Sequence, residues 1–541
     1  MYQCMKICIG IQVIWKKMVA IEYLGLKVTY EQLFKKIDQT GRALKAVGVN
    51  QGDIVSVCLP NIPEAIYLLY AINKIGAVAN MLDVRCGAPT LEKAINDADS
   101  KVLLYLDSIT DKFENVRSNT TAEVVVAVSP IEGLSPALRF IVRCKDKELR
   151  QNIPAGVFTW KAFTNKAQEF TGTIDGNSAG NNDAVIAYTG GTTGEPKGVI
   201  GTNYNVNAVV EMEFKVGFNQ SEHDSFLCMA PPWTYYGICN SINVPFCMGL
   251  KVILVPKFGP DDLGELILKY KPNHVVTVPS SVGVLLSGKY ENADFSYLHS
   301  LILGADKLDE SLEIEVNNYL QSHGASIRVS KGYGMTEVMA AAAYSRLNAN
   351  EIGSVGVPYP LNNISAFKET DHGYEECKIG EQGEIAIIGP TVMKSYFGKF
   401  ENENVDILKK HEDGTTWAHT GDIGYIGADG RVYIVGRLKR MFVKAGFKVF
   451  PATIEHCIMT NETVQVAAVV SVKDKYSGYA TKAFVVLKDN SADKKIVQSE
   501  IEKIVTDELY DYELPDIYEF VDKLPLTGMG KVDYRALEEM G

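Results

Sequence analysis

The sequence predicts an α/β protein with a large N-terminal body of several subdomains and a small C-terminal α+β domain. Three observations predict it. From Thr29 onward, short apolar β-branched runs alternate with helical stretches of ten or more residues. Those runs are apolar along their length instead of alternating with polar residues, as strands buried on both faces are. After Gly436 the order changes to strand-like pairs followed by helices, over a stretch of ordinary domain size.

Thr29 precedes Leu33, Phe34, Ile37, Leu44 and Val47 at helical spacing, and Gly48 lies just beyond, so this is a capped amphipathic helix. GDIVSVCLPN then reads as a strand, PEAIYLLYAINKIGA as a helix and Lys101–Leu106 as a strand. Further strands are expected at Ala184–Tyr188, Lys251–Val255, His274–Val278 and Leu301–Leu303. Between them, TGTIDGNSAGNND reads as an exposed loop. LSPALRFIVRCKDKELR reads as an amphipathic surface helix, with peripheral membrane contact left open. Toward the C-terminus, RVYIVGR and KRMFVKAGFKVF read as strands and Pro451 opens a helix through Ile458. VQVAAVVSV and KAFVVLKD are strands, and Ala492–Leu509 is a helix. The domain division expected is 21–436 and 437–541, with 1–20 unassigned.

The 541 residues are 46% hydrophobic and 22% charged, which excludes a disordered chain. Lys and Arg total 54 against 66 Asp and Glu, a net charge of −12 and the wrong balance for a nucleic-acid binder. A local cluster of cations could still hold a nucleotide. None of the ten Cys forms a Cys-x-x-Cys pair or a zinc-like cluster. Cys58, Cys228, Cys239 and Cys247 sit among apolar neighbours, as reduced core thiols do. No run of eighteen apolar residues suggests a membrane span, and Ile7–Trp15 is short and lacks a cleavage site. A cytoplasmic setting is expected.

The most informative segment is AVIAYTGGTTGEPKGVI, residues 184–200. A strand runs into a loop rich in Gly with Thr189, Thr192, Thr193 and Lys197, then into another strand. Glycines let backbone N–H groups approach an anion, hydroxyls add donors and Lys adds charge, which together make a phosphate cradle. It is not a Walker A loop, because Lys197 follows Pro196 and no Ser or Thr comes after it.

Tyr188–Gly198 resembles the YTSGTTGxPKG signature of the adenylate-forming enzymes, with Gly190 in place of the usual Ser. Three more signatures follow in the family's order. GYGMTE resembles the aromatic-Gly-x-Thr-Glu motif; by that resemblance Tyr333 stacks on adenine, Thr336 contacts the α-phosphate and Glu337 holds Mg²⁺. HTGDIGYIGADGRVYIVGRLKR resembles the segment in which Asp422 accepts from the ribose hydroxyls and Arg437 supports the ribose and phosphates. Lys439 falls at the hinge position. PLTGMGKVDYRAL resembles PxTxSGKxxR and makes Lys531 the catalytic lysine, although Met529 replaces the usual Ser. More weakly, Gly304, Ala305 and Asp306 resemble the loop lining the adenine pocket. Met229–Gly237 resembles LPLFHxxG, with Thr234 where the His stands.

The resemblance implies two half-reactions. A carboxylate attacks the α-phosphate of Mg-ATP to give an acyl-adenylate and pyrophosphate, and a thiol then displaces AMP. Lys531, Lys197, Thr193 and Mg²⁺ would stabilise the charge built on the phosphoryl oxygens. The C-terminal domain would turn between the steps, with Gly446 letting the pantetheine arm of coenzyme A pass. Ala230–Gly237 holds no Asp to pair an ammonium, which favours a neutral-tailed acid, fatty acids first and aryl or steroid acids second. A carrier protein in place of CoA, and a homodimer, stay open. Trp233, Tyr235 and Tyr236 are read equally as tunnel walls or as core.

Overall fold

The computed structural model describes all residues except 2–15, 135, 146–152, 177–178, 190–194, 218–220, 222, 258, 346–349, 445–446, 475–477, 490, 528–530 and 541. Two large sheets carry the body. One orders Ser395–Tyr396, Gly198–Thr202, Asp183–Tyr188, Val78–Met81, Ile54–Cys58, Val102–Leu106, Val124–Val128 and Phe158–Thr159. It is parallel except at the pairs made by Gly198–Thr202. The other runs from Val357–Pro358 through Ala343–Tyr344, Ser330–Tyr333, Ser300–Leu303, His274–Thr277, Ser225–Cys228 and Lys251–Leu254 to Val19–Tyr23 and Leu26–Thr29. Its strands from Ser330–Tyr333 to Val19–Tyr23 are parallel. The buried apolar strands of the sequence are these.

Local chemistry sets the helices. Thr29 caps Tyr30–Ala46 in a reciprocal pair with Gln32, and the chain turns away at Gly48 with φ +93°. Pro63 opens Pro63–Lys74, which is buried along its whole length. One core joins both sheets, from Leu33 and Val57 to Val185, Phe226 and Val252. Cys58, Cys228, Cys239 and Cys247 are buried within the molecule, as their apolar neighbours implied.

A third, antiparallel sheet holds Asn363–Thr370, Gly373–Glu376, Gly383–Ile388, Leu408–Lys410, Thr416–Ile426 and Val432–Arg437. After Arg437 comes a single turn, Leu438–Arg440, then the hairpin Phe442–Lys444 with Phe447–Val449. Val464–Asp474, Gly478–Leu487 and Ile517–Phe520 form a separate small sheet with the helices Pro451–Met459 and Lys494–Glu508. That part has its own apolar clusters around Ile454, Val469 and Ile501, and around Ala468 and Phe484. Among the described residues no helix is long and apolar enough to cross a membrane. In the helix Pro136–Lys145, Phe140 is exposed.

Candidate active site

The site forms where strands of both large sheets end at their carboxyl edges, the usual place for a ligand in open α/β sheets. Tyr188 leads into the glycine-rich loop, Cys228 into the Trp233 loop, Leu303 into Gly304 and Tyr333 into Gly334. These loops enclose a cavity of about 1050 Å³. Thr189, Ala305, Asp306, Thr336, Glu337, Arg437 and Lys531 line it together, although they lie in five separate segments of sequence.

The glycine-rich loop is closed at its base. Thr189 N–H donates to the Lys197 carbonyl at 2.9 Å, and Lys197 N–H donates to Thr189 Oγ1 at 3.0 Å. The Lys197 ammonium pairs with Glu403 and lies 4.9 Å from the Tyr396 ring centroid. Thr192 and Thr193 lie outside the described residues, as does Gly446.

The adenine-loop expectation falls on a strained turn. Ala305 has φ +71°, a conformation that costs a non-glycine residue energy and that clusters at functional sites. Gly304 is packed under Tyr236: a Cβ there would stand 3.1 Å from the Tyr236 hydroxyl. Tyr236 itself donates to the Thr277 carbonyl at 2.8 Å and begins a π-helical segment, Tyr236–Asn243.

The GYGMTE segment turns sharply. Gly334 faces the backbone of Ala340, where a Cβ would come within 2.6 Å, and Met339 and Ala340 take φ of +53° and +55°. The turn sets Thr336 and Glu337 at the cavity. Glu337 is buried, and Tyr396 donates to its Oε1 at 2.8 Å, leaving the other oxygen for a cation. A hard carboxylate on a cavity wall fits Mg²⁺. The Tyr396 contact escaped the sequence reading; it is made by a two-residue strand pairing with Gly198–Thr202, and no local motif marks it. Glu403, the partner of Lys197, likewise carried no signal.

Behind the cavity wall, Tyr333 donates to Asp422 Oδ2 at 2.6 Å and Arg437 Nε meets Asp422 Oδ1 at 2.6 Å. Asp422 and Arg437 face each other across paired strands. Burial pushes the Asp422 carboxyl above its ordinary value, against the pull of Arg437 and Tyr333. Burial pulls the Lys531 ammonium below the ordinary lysine range; Asp306 opposes that shift, Arg437 reinforces it and Asp422 opposes it. Lys531 N–H donates to Thr527 Oγ1 at 3.3 Å and its carbonyl accepts from Thr527 N–H at 2.7 Å, which fixes the backbone of the lysine at the cavity it lines with Asp306 and Arg437.

The aromatic loop divides its roles. Tyr235 is buried and donates to the carbonyls of Val185 and Val199, pinning one sheet to the other. Trp233, Thr234, Tyr235 and Tyr236 all line the cavity, and the Arg85 guanidinium lies 5.5 Å from the Trp233 ring centroid. Thr234 uses its hydroxyl locally, donating to the Pro231 carbonyl at 3.1 Å and accepting from Gly237 N–H.

Among the described residues, Asp224, His274 and His299 group as potential metal ligands. Asp224 Oδ2 meets His274 Nε2 at 3.0 Å and His299 Nδ1 at 2.9 Å. The group sits at the amino ends of its strands, the edge opposite the cavity, and its hydrogen bonds account for it.

Residues 15–397 match the family model for AMP-binding enzymes, and 453–531 match that for the AMP-binding enzyme C-terminal domain. A long-chain-fatty-acid–CoA ligase of Bacillus subtilis (strain 168) is 28% identical over 96% of this chain and 91% of its own. A feruloyl-CoA synthase of an Amycolatopsis species is 28% identical over 95% of this chain and 94% of its own. The crystal structure of ATP-bound MatB from Rhodopseudomonas palustris superposes with a TM-score of 0.83 at 23% identity, covering 100% of this chain and 98% of that one, and shares the fold.

Proposed function

The chain belongs to the AMP-binding, adenylate-forming enzyme family, and from that premise we propose that it joins a carboxylic acid to coenzyme A through an acyl-adenylate. One observation carries the reading: a single cavity gathers Lys531, Asp306, Thr336, Glu337 and Arg437 beside the aromatic loop. The acid's carboxylate attacks the α-phosphorus of ATP, the bond to the β-phosphate breaks and pyrophosphate leaves. Negative charge grows on the phosphoryl oxygens, and preorganised cations and donors lower the barrier most where that charge develops. Lys531, Lys197 and the Thr336 hydroxyl take that part. Asp422 accepts from the ribose, and the Tyr333 ring offers the base a face. Glu337 would hold Mg²⁺, which supplies charge neutralisation on the phosphates when bound.

The thiol of CoA then attacks the adenylate carbonyl and AMP leaves with its phosphate. Residues 437–541 turn relative to 21–436 between the steps, about Lys439, and bring Gly446 to the pantetheine path. The acid has an apolar body, a fatty acid first and an aryl acid second. The support is the lining by Phe226, Tyr235, Val244 and Val276 and the absence of a charged side chain from Ala230–Gly237. The work is done in the reducing cytoplasm.

The test is pyrophosphate release from ATP with a panel of acids, followed by thioester detection with CoA or a pantetheinylated carrier. Acid-dependent pyrophosphate release and acyl-CoA are expected. Thioester on the carrier alone overturns the CoA assignment, and no acid-dependent release overturns the proposal.

A further inference from the structure

We propose that the acid pocket ends on a carboxyl–phenol pair, Glu213 and Tyr359, that selects acids whose far end carries a hydrogen-bond donor. The inference rests on the ligase reading and revises its acid: the apolar body is kept, but a far end with a hydrogen-bond donor replaces the methyl end of an ordinary fatty acid. Glu213 stands on the helix Asn203–Val216, and Tyr359 follows the short strand Val357–Pro358. The Tyr359 hydroxyl donates to Glu213 Oε1. Both residues line the cavity, and they are only 7% and 8% exposed. Tyr236, whose ring packs on Gly304 of the nucleotide loop, lines the same cavity as the pair. Thr336 lines that cavity too, so an acid with its carboxylate there and its body past Tyr236 would run toward this pair.

The second carboxyl oxygen of Glu213 has no hydrogen-bond partner among the described residues, and Glu213 is one of the residues that line the cavity. A methyl-ended tail would press an apolar group on that oxygen and exclude water from it, leaving a desolvated acceptor unpaired. A hydroxyl would satisfy it and keep the tail neutral. Burial lifts the Glu213 carboxyl to about 7, against the pull of the Tyr359 hydrogen bond. Phe226, Val244 and Val276, which also line the cavity, have no polar side-chain atom to do so.

The experiment uses the full chain with ATP, Mg²⁺ and CoA and compares matched acids that differ only at the far end: methyl, hydroxyl or amino. Both aliphatic and para-substituted aryl bodies are run. One hydrogen bond to a carboxylate gives kcat/KM for the donor-ended acids roughly 10- to 100-fold above the methyl-ended ones. Hydroxyl and amino arms tell which donor is read. Glu213→Leu should reverse the ratio in favour of methyl, whereas Tyr359→Phe should keep the donor preference. If Glu213→Leu does not fold, the wild-type ratio and Tyr359→Phe decide. A wild-type ratio near one, or a ratio that Glu213→Leu leaves unchanged, overturns the inference while the ligase reading stands. No turnover of any acid overturns both.

Discussion

The Tyr333 hydroxyl donates to the Asp422 carboxylate at 2.6 Å and so ties two motifs 89 residues apart together behind the cavity wall. Asp422 is held on its other oxygen by Arg437, so its orientation depends on two donors from different strands. Tyr333→Phe keeps the aromatic face and removes one donor. Losing a hydrogen bond to a charged group costs about 1–3 kcal/mol, so KM for ATP should rise roughly tenfold while kcat falls far less. Steady-state pyrophosphate release against ATP concentration reads both. A fall in kcat with KM unchanged would show that the hydroxyl does not serve nucleotide binding.

Most of the fold was readable because its signals are local. Thr29 and Gln32 sit three residues apart, the buried strands are short apolar runs, and each nucleotide motif is contiguous. What escaped the sequence depends on distant pairings. Tyr396 reaches Glu337 through sheet pairing, Lys197 meets Glu403, and Glu213 meets Tyr359 across 146 residues. Val338–Ala343 shows a further limit. Its Met and Ala residues favour a helix by propensity, yet Met339 and Ala340 take left-handed φ because the turn packs on Gly334. Tertiary contact overrides local preference there, at the turn that sets Thr336 and Glu337.

Tyr396 is a positioning residue. It reaches no substrate in the proposed chemistry, but it fixes one oxygen of Glu337 at 2.8 Å and lies against Lys197. Tyr396→Phe frees the carboxylate to rotate, and the loss of about 1–2 kcal/mol should raise the Mg²⁺ concentration for half-maximal activity by roughly 5- to 30-fold. Activity at saturating Mg²⁺ should largely return. Direct Mn²⁺ binding followed by electron paramagnetic resonance should weaken in parallel. An unchanged metal dependence with low activity throughout would assign Tyr396 to folding instead.

Lys531 gives a prediction on half-reactions and on pH. Lys531→Ala should abolish adenylate formation yet largely spare thioester formation from a supplied acyl-adenylate, because in the proposed chemistry its ammonium serves the first half-reaction alone. Equal loss of both would sink that division. Because burial holds its pKa below the ordinary 10.5, its charge is lost earlier as pH rises. Pyrophosphate release should therefore decline on the alkaline side below the range of a free lysine. Lys531→Arg keeps the charge at high pH and should remove that decline, at some cost in rate. A decline identical in both proteins would place the titration elsewhere.

Glu64 sets a pH dependence of stability away from the site. It lies in the first turn of the buried helix Pro63–Lys74, and burial lifts its carboxyl from 4.5 to about 7, with Glu132 adding to the shift. Below the lower value both folded and unfolded chains hold the proton, and no penalty arises. As pH rises from there to about 7, the unfolded chain ionises first, so it binds fewer protons and stability falls. The full loss is about 3 kcal/mol, at 1.36 kcal/mol per unit of pKa, and it levels off above the raised value. Glu64→Gln carries no titration, while every other group titrates alike in both proteins. Melting temperatures of the two should thus diverge from pH 5 to pH 8 in favour of the variant, and a constant gap would mean that Glu64 ionises in the fold as it does in water.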